Sequence, residues 1–279
     1  MSPLYLFRRS ALSALSALAL LCMACSTDAP AADEGTRGAS PLTLRRRTPE
    51  YRASVTREYP HDTAAFTQGL IWHDGQMYES TGEVGTSTIR RVKLETGEVL
   101  QRRDLPPPHF GEGIAILGDK MYQLTWKSGS AFVYDVKSFA PRGEFKYEGE
   151  GWGLTTDGAQ LIMSDGTPIL RYVNPSDFTV TRTVTVTENG TPVSNLNELE
   201  WVKGEVWANV WLSDKIARID PQSGVVLGYI NLTGLLPAAV RTGREDVMNG
   251  VAYDAVGDRI FVTGKRWARL YEISLRPPQ

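Results

Sequence analysis

Glu112 stands in the segment FGEGIAIL, a carboxylate set between glycines, with Phe110 before it and an apolar run after it. Four other segments open in a similar way: FTQGLIW from Phe66, GWGLTTDG from Gly151, NELEWV from Asn197 and MNGVAYD from Met248. Together they supply an opening set of Phe66, Gln68, Phe110, Glu112, Trp152, Asn197 and Asn249. About 13 residues further on, after a turn, a closing set follows: Trp126, Trp211 and Lys265. If both sets share one mouth, five aromatic side chains surround one carboxylate, one lysine and a few amides. Aromatic walls with a handful of placed polar groups make a small-molecule site. A carboxyl group partly desolvated among rings has a raised pKa, which suits it to take and return a proton. Glu112 is therefore the candidate general acid/base.

A repeat is what would bring these residues together. Taking Gly69, Gly113, Gly153, Leu199 and Gly250 as equivalent points, the steps are 44, 40, 46 and 51 residues. Units of that length, each a small antiparallel sheet, are the signature of β-propeller blades. The expectation is an all-β fold over residues 51–279: a five-bladed β-propeller, each blade a four-stranded antiparallel sheet. Second strands are expected at 76–79, 120–125, 160–163, 205–210 and 259–263. Each follows a turn rich in Asp or Gly, such as His73-Asp74-Gly75 or Lys203-Gly204. Third strands follow at 87–93, 131–136, 169–173, 215–219 and 269–274, and turn signals in LETGEVL and DPQSGVVLGYI lead to outer strands. LLPAAVR, from Leu235, reads as one short helical turn.

Taken singly, each candidate has a plainer reading. Glu112 could cap a turn, the tryptophans could fill the wedges between blades, and Asn197, Gln68 and Lys265 could be turn, channel or rim residues. The shared register favours the site. One of Glu198 and Glu200 could face the channel, but a structural role is favoured for both; Asn249 reads equally as a turn former, and His109, which could line the rim, reads rather as a loop residue.

Composition narrows the partners. The chain has 279 residues, 42% of them hydrophobic and 22% charged, with a net charge of −2, enough apolar material for a sizeable core. No basic run suggests nucleic acid. The three histidines, His61, His73 and His109, are scattered, with no H-E-x-x-H. A zinc site is not expected. Neither a G-x-S-x-G elbow nor a P-loop is present. No cofactor is required by this reading; a structural calcium ion held by backbone carbonyls in the channel stays open, because it would leave almost no trace in sequence.

The start of the chain carries an address. Arg8 and Arg9 precede an apolar run from Ala11 to Cys22, too short to span a bilayer and suited to a secretory signal. The run ends in LCMAC, which resembles a lipobox with Cys25 as the lipidated residue, although Cys22 stands where Leu is usual. Cleavage after Ala24 is the rival reading. Residues 1–25 are thus expected to be a signal peptide, and 26–50, without periodicity, a disordered tether. The expected location is periplasmic or outer-membrane-anchored, alternatively secreted, with membrane contact only through the lipid. Both cysteines, Cys22 and Cys25, lie in this segment, so the folded body has neither thiol nor disulfide.

FTQGL, FGEGI, the TWK of Thr125–Lys127, GWGLTTDG, NELEWV, WANVWLSDKIARID, MNGVAYD and VTGKRW together resemble the glutaminyl-peptide cyclotransferases of the plant and bacterial type. The likeness runs over about residues 55–275. It implies that peptides or proteins with N-terminal glutamine are the substrates, cyclised to pyroglutamate with loss of ammonia. It implies Glu112 as the acid/base, Lys265, Gln68 and Asn197 as holders of the reacting amide, and Phe66, Phe110, Trp126, Trp152 and Trp211 as the wall around the glutamine stem. A closed propeller has no obligatory partner, so a monomer is expected. Two other classes stay in view: a non-catalytic propeller that binds peptide N-termini, and a metal-dependent propeller lactonase, which the aromatic character of the convergent positions disfavours.

Overall fold

A computed structural model describes residues 47–278. The signal peptide expected at 1–25, with Cys25, and the tether up to residue 46 lie outside the described residues.

The described chain is a propeller-like array of antiparallel sheets with almost no helix. It opens with β1 (Glu50–Pro60). A first sheet is built in order from β2 (Thr67–His73), β3 (Gln76–Thr81), β4 (Thr88–Val92) and β5 (Val99–Asp104). A second uses β6 (Gly111–Leu117), β7 (Lys120–Thr125), β8 (Ser130–Asp135) and β9 (Pro141–Lys146). A third uses β10 (Leu154–Thr156), β11 (Leu161–Met163), β12 (Ile169–Val173) and β13 (Val180–Thr185). A small hairpin, β14 (Thr187–Glu188) and β15 (Thr191–Pro192), follows it. The next quartet is β16 (Leu196–Val202), β17 (Glu205–Val210), β18 (Lys215–Ile219) and β19 (Val226–Asn231). After a 3-10 turn at Ala238–Val240, inside the LLPAAVR segment, come β20 (Met248–Asp254), β21 (Arg259–Gly264) and β22 (Arg269–Arg276).

The last three strands take their fourth from the other end of the chain. β1 pairs antiparallel with β22 and parallel with β19, which joins the last two groups into one eight-stranded sheet. The repeat pattern does not reveal this partner, because β1 belongs to the last unit in space and the first in sequence. The β14–β15 hairpin is likewise outside the repeat.

The hairpins follow local chemistry. Asp74-Gly75 and Lys203-Gly204 each place two consecutive residues at positive φ (48° and 75°, 50° and 86°), the requirement of a type I′ turn between antiparallel strands. The innermost strands β2, β6, β10, β16 and β20 touch in that order, and β20 touches β2 again. They approach so closely that a side chain is excluded at the repeat's own landmark. A Cβ on Gly153 would lie 2.0 Å from the Asn197 carbonyl oxygen. Five apolar clusters lie between successive sheets. One of them, with Leu70, Met77, Ala252 and Phe261, joins the last sheet to the first.

Candidate active site

Four residues of the opening set owe their orientation to the same irregularity. The pairing of β2 with β3 skips Gln68, that of β6 with β7 skips Glu112 and Gly113, and that of β16 with β17 slips across Asn197 and Glu198. The β20–β21 pairing slips across Asn249 and Gly250. Each is a β-bulge, which bends the strand and re-aims a side chain. The closing residues stand one place beyond a second strand: Trp126 after β7, Trp211 after β17 and Lys265 after β21. A backbone hydrogen bond repeats there, from Trp126 N to Phe110 O at 3.0 Å, from Trp211 N to Asn195 O at 2.8 Å and from Lys265 N to Val247 O at 3.0 Å.

These positions line one cavity of about 440 Å³. It gathers Glu112, Gln68, Asn197 and Lys265 with Phe66, Phe110, Trp126, Trp152 and Trp211, nine of the ten residues in the opening and closing sets. Leu212 and Asp246 also line it. Asn249 does not; it lies behind Gln68, with its Nδ2 donating to Gln68 Oε1 at 3.1 Å and to Thr67 O at 3.0 Å. That contact turns the Gln68 amide so that its Nε2 donates to Glu112 Oε1 at 3.1 Å. Among the described residues no donor reaches Glu112 Oε2.

The electrostatics follow from burial. Glu112 is 4% exposed. Desolvation raises its carboxyl well above the usual range, the Lys265 charge opposes this, and Glu150 adds to it. Lys265 is also buried, which lowers its ammonium pKa, while Glu112, Asp246 and Glu83 pull it back up. Its Nζ lies 4.7 Å from the centre of the Phe66 ring, within cation–π range. Asn197 Oδ1 is buried without a hydrogen-bond partner. Such an orphan costs about 1–3 kcal/mol, which a donor on a bound molecule would remove.

The wall is a chain of edge-to-face contacts: Phe66 on Phe110 (6.0 Å, 88°), Phe110 on Trp126 (5.7 Å, 63°) and Trp152 on Trp211 (5.5 Å, 87°). Glu150 bridges the gap between the two halves. Its Oε2 accepts from Trp126 Nε1 at 2.6 Å and Trp152 Nε1 at 2.9 Å. Arg171 braces the loop beneath through the carbonyls of Glu148 and Glu150. Gly82, one residue past β3, holds the place that Trp126 holds after β7, and a Cβ there would meet the Phe110 ring. Glu150, Gly82, Leu212 and Asp246 were not singled out from sequence; of these, Gly82 and Leu212 lie on the repeat register. Glu198 and Glu200 are buried and accept backbone N–H bonds from β2 and β20. His109 packs on Phe132 (5.1 Å) away from the cavity.

Among the described residues, no group of three or more His, Cys, Asp or Glu side chains is placed to hold a metal ion. Besides Asp246 at the exposed edge, the polar groups that converge here are one carboxyl group, one amine and amides, against aromatic faces. Such a set can orient a small polar group, move one proton and stabilise one developing negative charge.

A sequence model of the glutamine cyclotransferase family matches residues 16–275. The chain is 43% identical over 246 residues to a glutaminyl-peptide cyclotransferase of Arabidopsis thaliana, covering 87% of this chain and 76% of that protein. The crystal structure of the Myxococcus xanthus glutaminyl cyclase superposes with a TM-score of 0.78 at 39% identity, covering 83% of this chain and 99% of that one.

Proposed function

This chain belongs to the glutamine cyclotransferase family, and from that premise we propose that Glu112 carries the proton in the cyclisation of N-terminal glutamine. The activity is that of a glutaminyl-peptide cyclotransferase, an acyl transfer within one residue. The α-amine attacks the side-chain amide carbon, a C–N bond forms, and the tetrahedral intermediate expels ammonia to leave pyroglutamate. Nucleophile and electrophile belong to the same residue, so orientation in a fitted pocket supplies much of the acceleration.

As a carboxylate, Glu112 takes the proton that the attacking amine releases. As the acid, it returns that proton to the departing amide nitrogen, which leaves as NH3. A raised pKa suits one group to both steps near neutral pH. Gln68 fixes one carboxyl oxygen and leaves Oε2 for the substrate. Lys265 faces the oxygen that gains negative charge. Asn197 Oδ1 accepts from the substrate's amide or amine. The five rings enclose the glutamine stem. No cofactor enters the scheme. The closed contact of the inner strands supports reading the five four-stranded groups as five propeller blades.

The observation that carries the assignment of the proton carrier is the buried carboxyl group with one oxygen held by Gln68 and the other without a protein donor. Glu112→Gln is expected to lower ammonia release from a glutamine-led peptide by at least about 10²-fold, with the fold intact. Turnover at the wild-type rate in that variant would overturn the role.

A further inference from the structure

The cavity's mouth carries a second feature. One residue beyond each closing position the chain turns, and at three of these turns a residue with a side chain adopts the left-handed conformation: Glu83 (φ 82°), Leu212 (φ 63°) and Arg266 (φ 61°). That region disfavours any residue with a Cβ, and strain of this kind gathers at functional sites. Glu83 and Arg266 answer one another, with 2.8 Å between guanidinium and carboxylate. Leu212 has no such partner. It lines the cavity beside Trp211, yet it is 67% exposed, an aliphatic side chain held up at the rim. The turn beneath it is pinned by Ser213, whose Oγ donates to Val210 O at 2.7 Å.

A peptide entering this cavity places its glutamine among the interior polar groups. The next Cα is about 3.8 Å away along the chain, which brings the second side chain to the rim. The charges there are already engaged or opposed. Glu83 pairs with Arg266, and Lys127 lies 4.0 Å over the Trp126 ring and 3.7 Å from Glu150. Asp246, exposed at the edge, repels an acidic residue. Apart from Asp246, which no ion pair engages among the described residues, the unmatched surface is apolar, formed by Leu212 and the Trp211 face. Resting on the cyclotransferase reading above, we infer that Leu212, together with the Trp211 face, is the subsite for the second residue of the substrate and selects an apolar side chain there.

The test compares kcat/KM for glutaminyl-leucine and glutaminyl-glycine peptides that are otherwise identical. The wild type is expected to favour leucine. In Leu212→Ala the ratio of the two values should fall about fivefold, from the loss of apolar contact area. Leu212→Gly separates contact from folding, because glycine adopts this φ without strain. Its ratio should fall as far while its Tm stays at or above that of the wild type. An unchanged ratio in both variants, with normal turnover of either peptide by the wild type, would overturn the subsite alone. Failure of the wild type to convert either peptide would overturn the activity and the subsite with it.

Discussion

Gly82 carries no chemistry of its own, yet the aromatic wall depends on it. A Cβ at this position would lie 2.3 Å and 2.5 Å from Cε1 and Cζ of Phe110, and 3.1 Å from Cδ1 of Phe66. Carbon atoms in ordinary contact sit about 3.5–4.0 Å apart, so in Gly82→Ala the Phe110 ring must retreat by about 1 Å. The backbone at Gly82 is outside the left-handed region, so the cost is steric rather than conformational. Overpacking of this kind destabilises by about 1–3 kcal/mol, or about 2–12 °C in Tm for a domain of this size. The functional effect should be larger. Phe110 touches both Phe66 and Trp126 edge-to-face, and a ring moved by about 1 Å can cost on the order of 10²-fold in rate. The assay is kcat/KM for a glutamine-led peptide alongside a thermal melt. A double variant, Gly82→Ala with Phe110→Leu, should recover part of the lost Tm because the shorter side chain clears the new methyl. Wild-type kcat/KM and Tm in Gly82→Ala would refute the claim that this gap sets the ring's position.

Two further outcomes concern buried charge. Glu200 is pushed up to about 8 from its ordinary value of 4.5 by burial. The folded protein therefore holds this proton more tightly than the unfolded chain, and stability falls as pH rises from about 4.5 to 8. The ceiling for this one group is about 5 kcal/mol. Glu200→Gln should gain on the wild type across that window and run parallel above it, measured by urea unfolding at several pH values; parallel curves throughout would refute the argument. Glu79 receives Thr67 Oγ1 (2.7 Å) and Arg90 Nε and a terminal guanidinium nitrogen (2.9 and 2.7 Å), and His61 Nε2 lies 2.9 Å away. Against the opposing effect of burial, Arg90 and His61 hold the Glu79 carboxyl below the usual range, and Glu79 in turn raises the His61 imidazole. Glu79→Gln takes away the carboxylate that the buried Arg90 guanidinium and His61 share and should cost about 3–5 kcal/mol, a Tm loss of roughly 6–20 °C by calorimetry. A loss under about 1 kcal/mol would show that Asp62 alone can balance Arg90.

The inner hairpins were legible because two local signals coincide there. Val, Ile and Tyr runs are separated by Asp-Gly, Gly-Asp or Lys-Gly turns, and the second strands at Lys120–Thr125 and Glu205–Val210 fall where the pattern places them. β1 was not legible as the partner of β22, since pairing between chain ends has no local signature. The same distinction divides the site. Gln68, Glu112 and Asn197 sit at bulges and Trp126, Trp211 and Lys265 sit past second strands, so counting along the repeat finds them. Glu150 lies in a loop off that count, and nothing near it in sequence says that two indoles donate to it. Gly82 is on the count, but a glycine offers no side chain to notice.

Burial alone does not single out Glu112 as the proposed proton carrier. Glu112, Glu198 and Glu200 are all raised by desolvation. Glu198 spends both oxygens on the backbone, accepting from Leu70 N at 3.2 Å and Val251 N at 2.9 Å, and so ties β2 and β20 to β16. Glu200 accepts from Tyr253 N at 2.8 Å and Thr155 Oγ1 at 3.5 Å. Both are committed to holding strands together. Glu112 has one oxygen oriented by Gln68 and the other turned to a cavity with aromatic walls. A group that must take a proton and return it needs an open coordination site as well as a shifted pKa. The bulge in β6 supplies that opening, because it takes Glu112 out of the regular ladder and into the mouth that the other inner strands share.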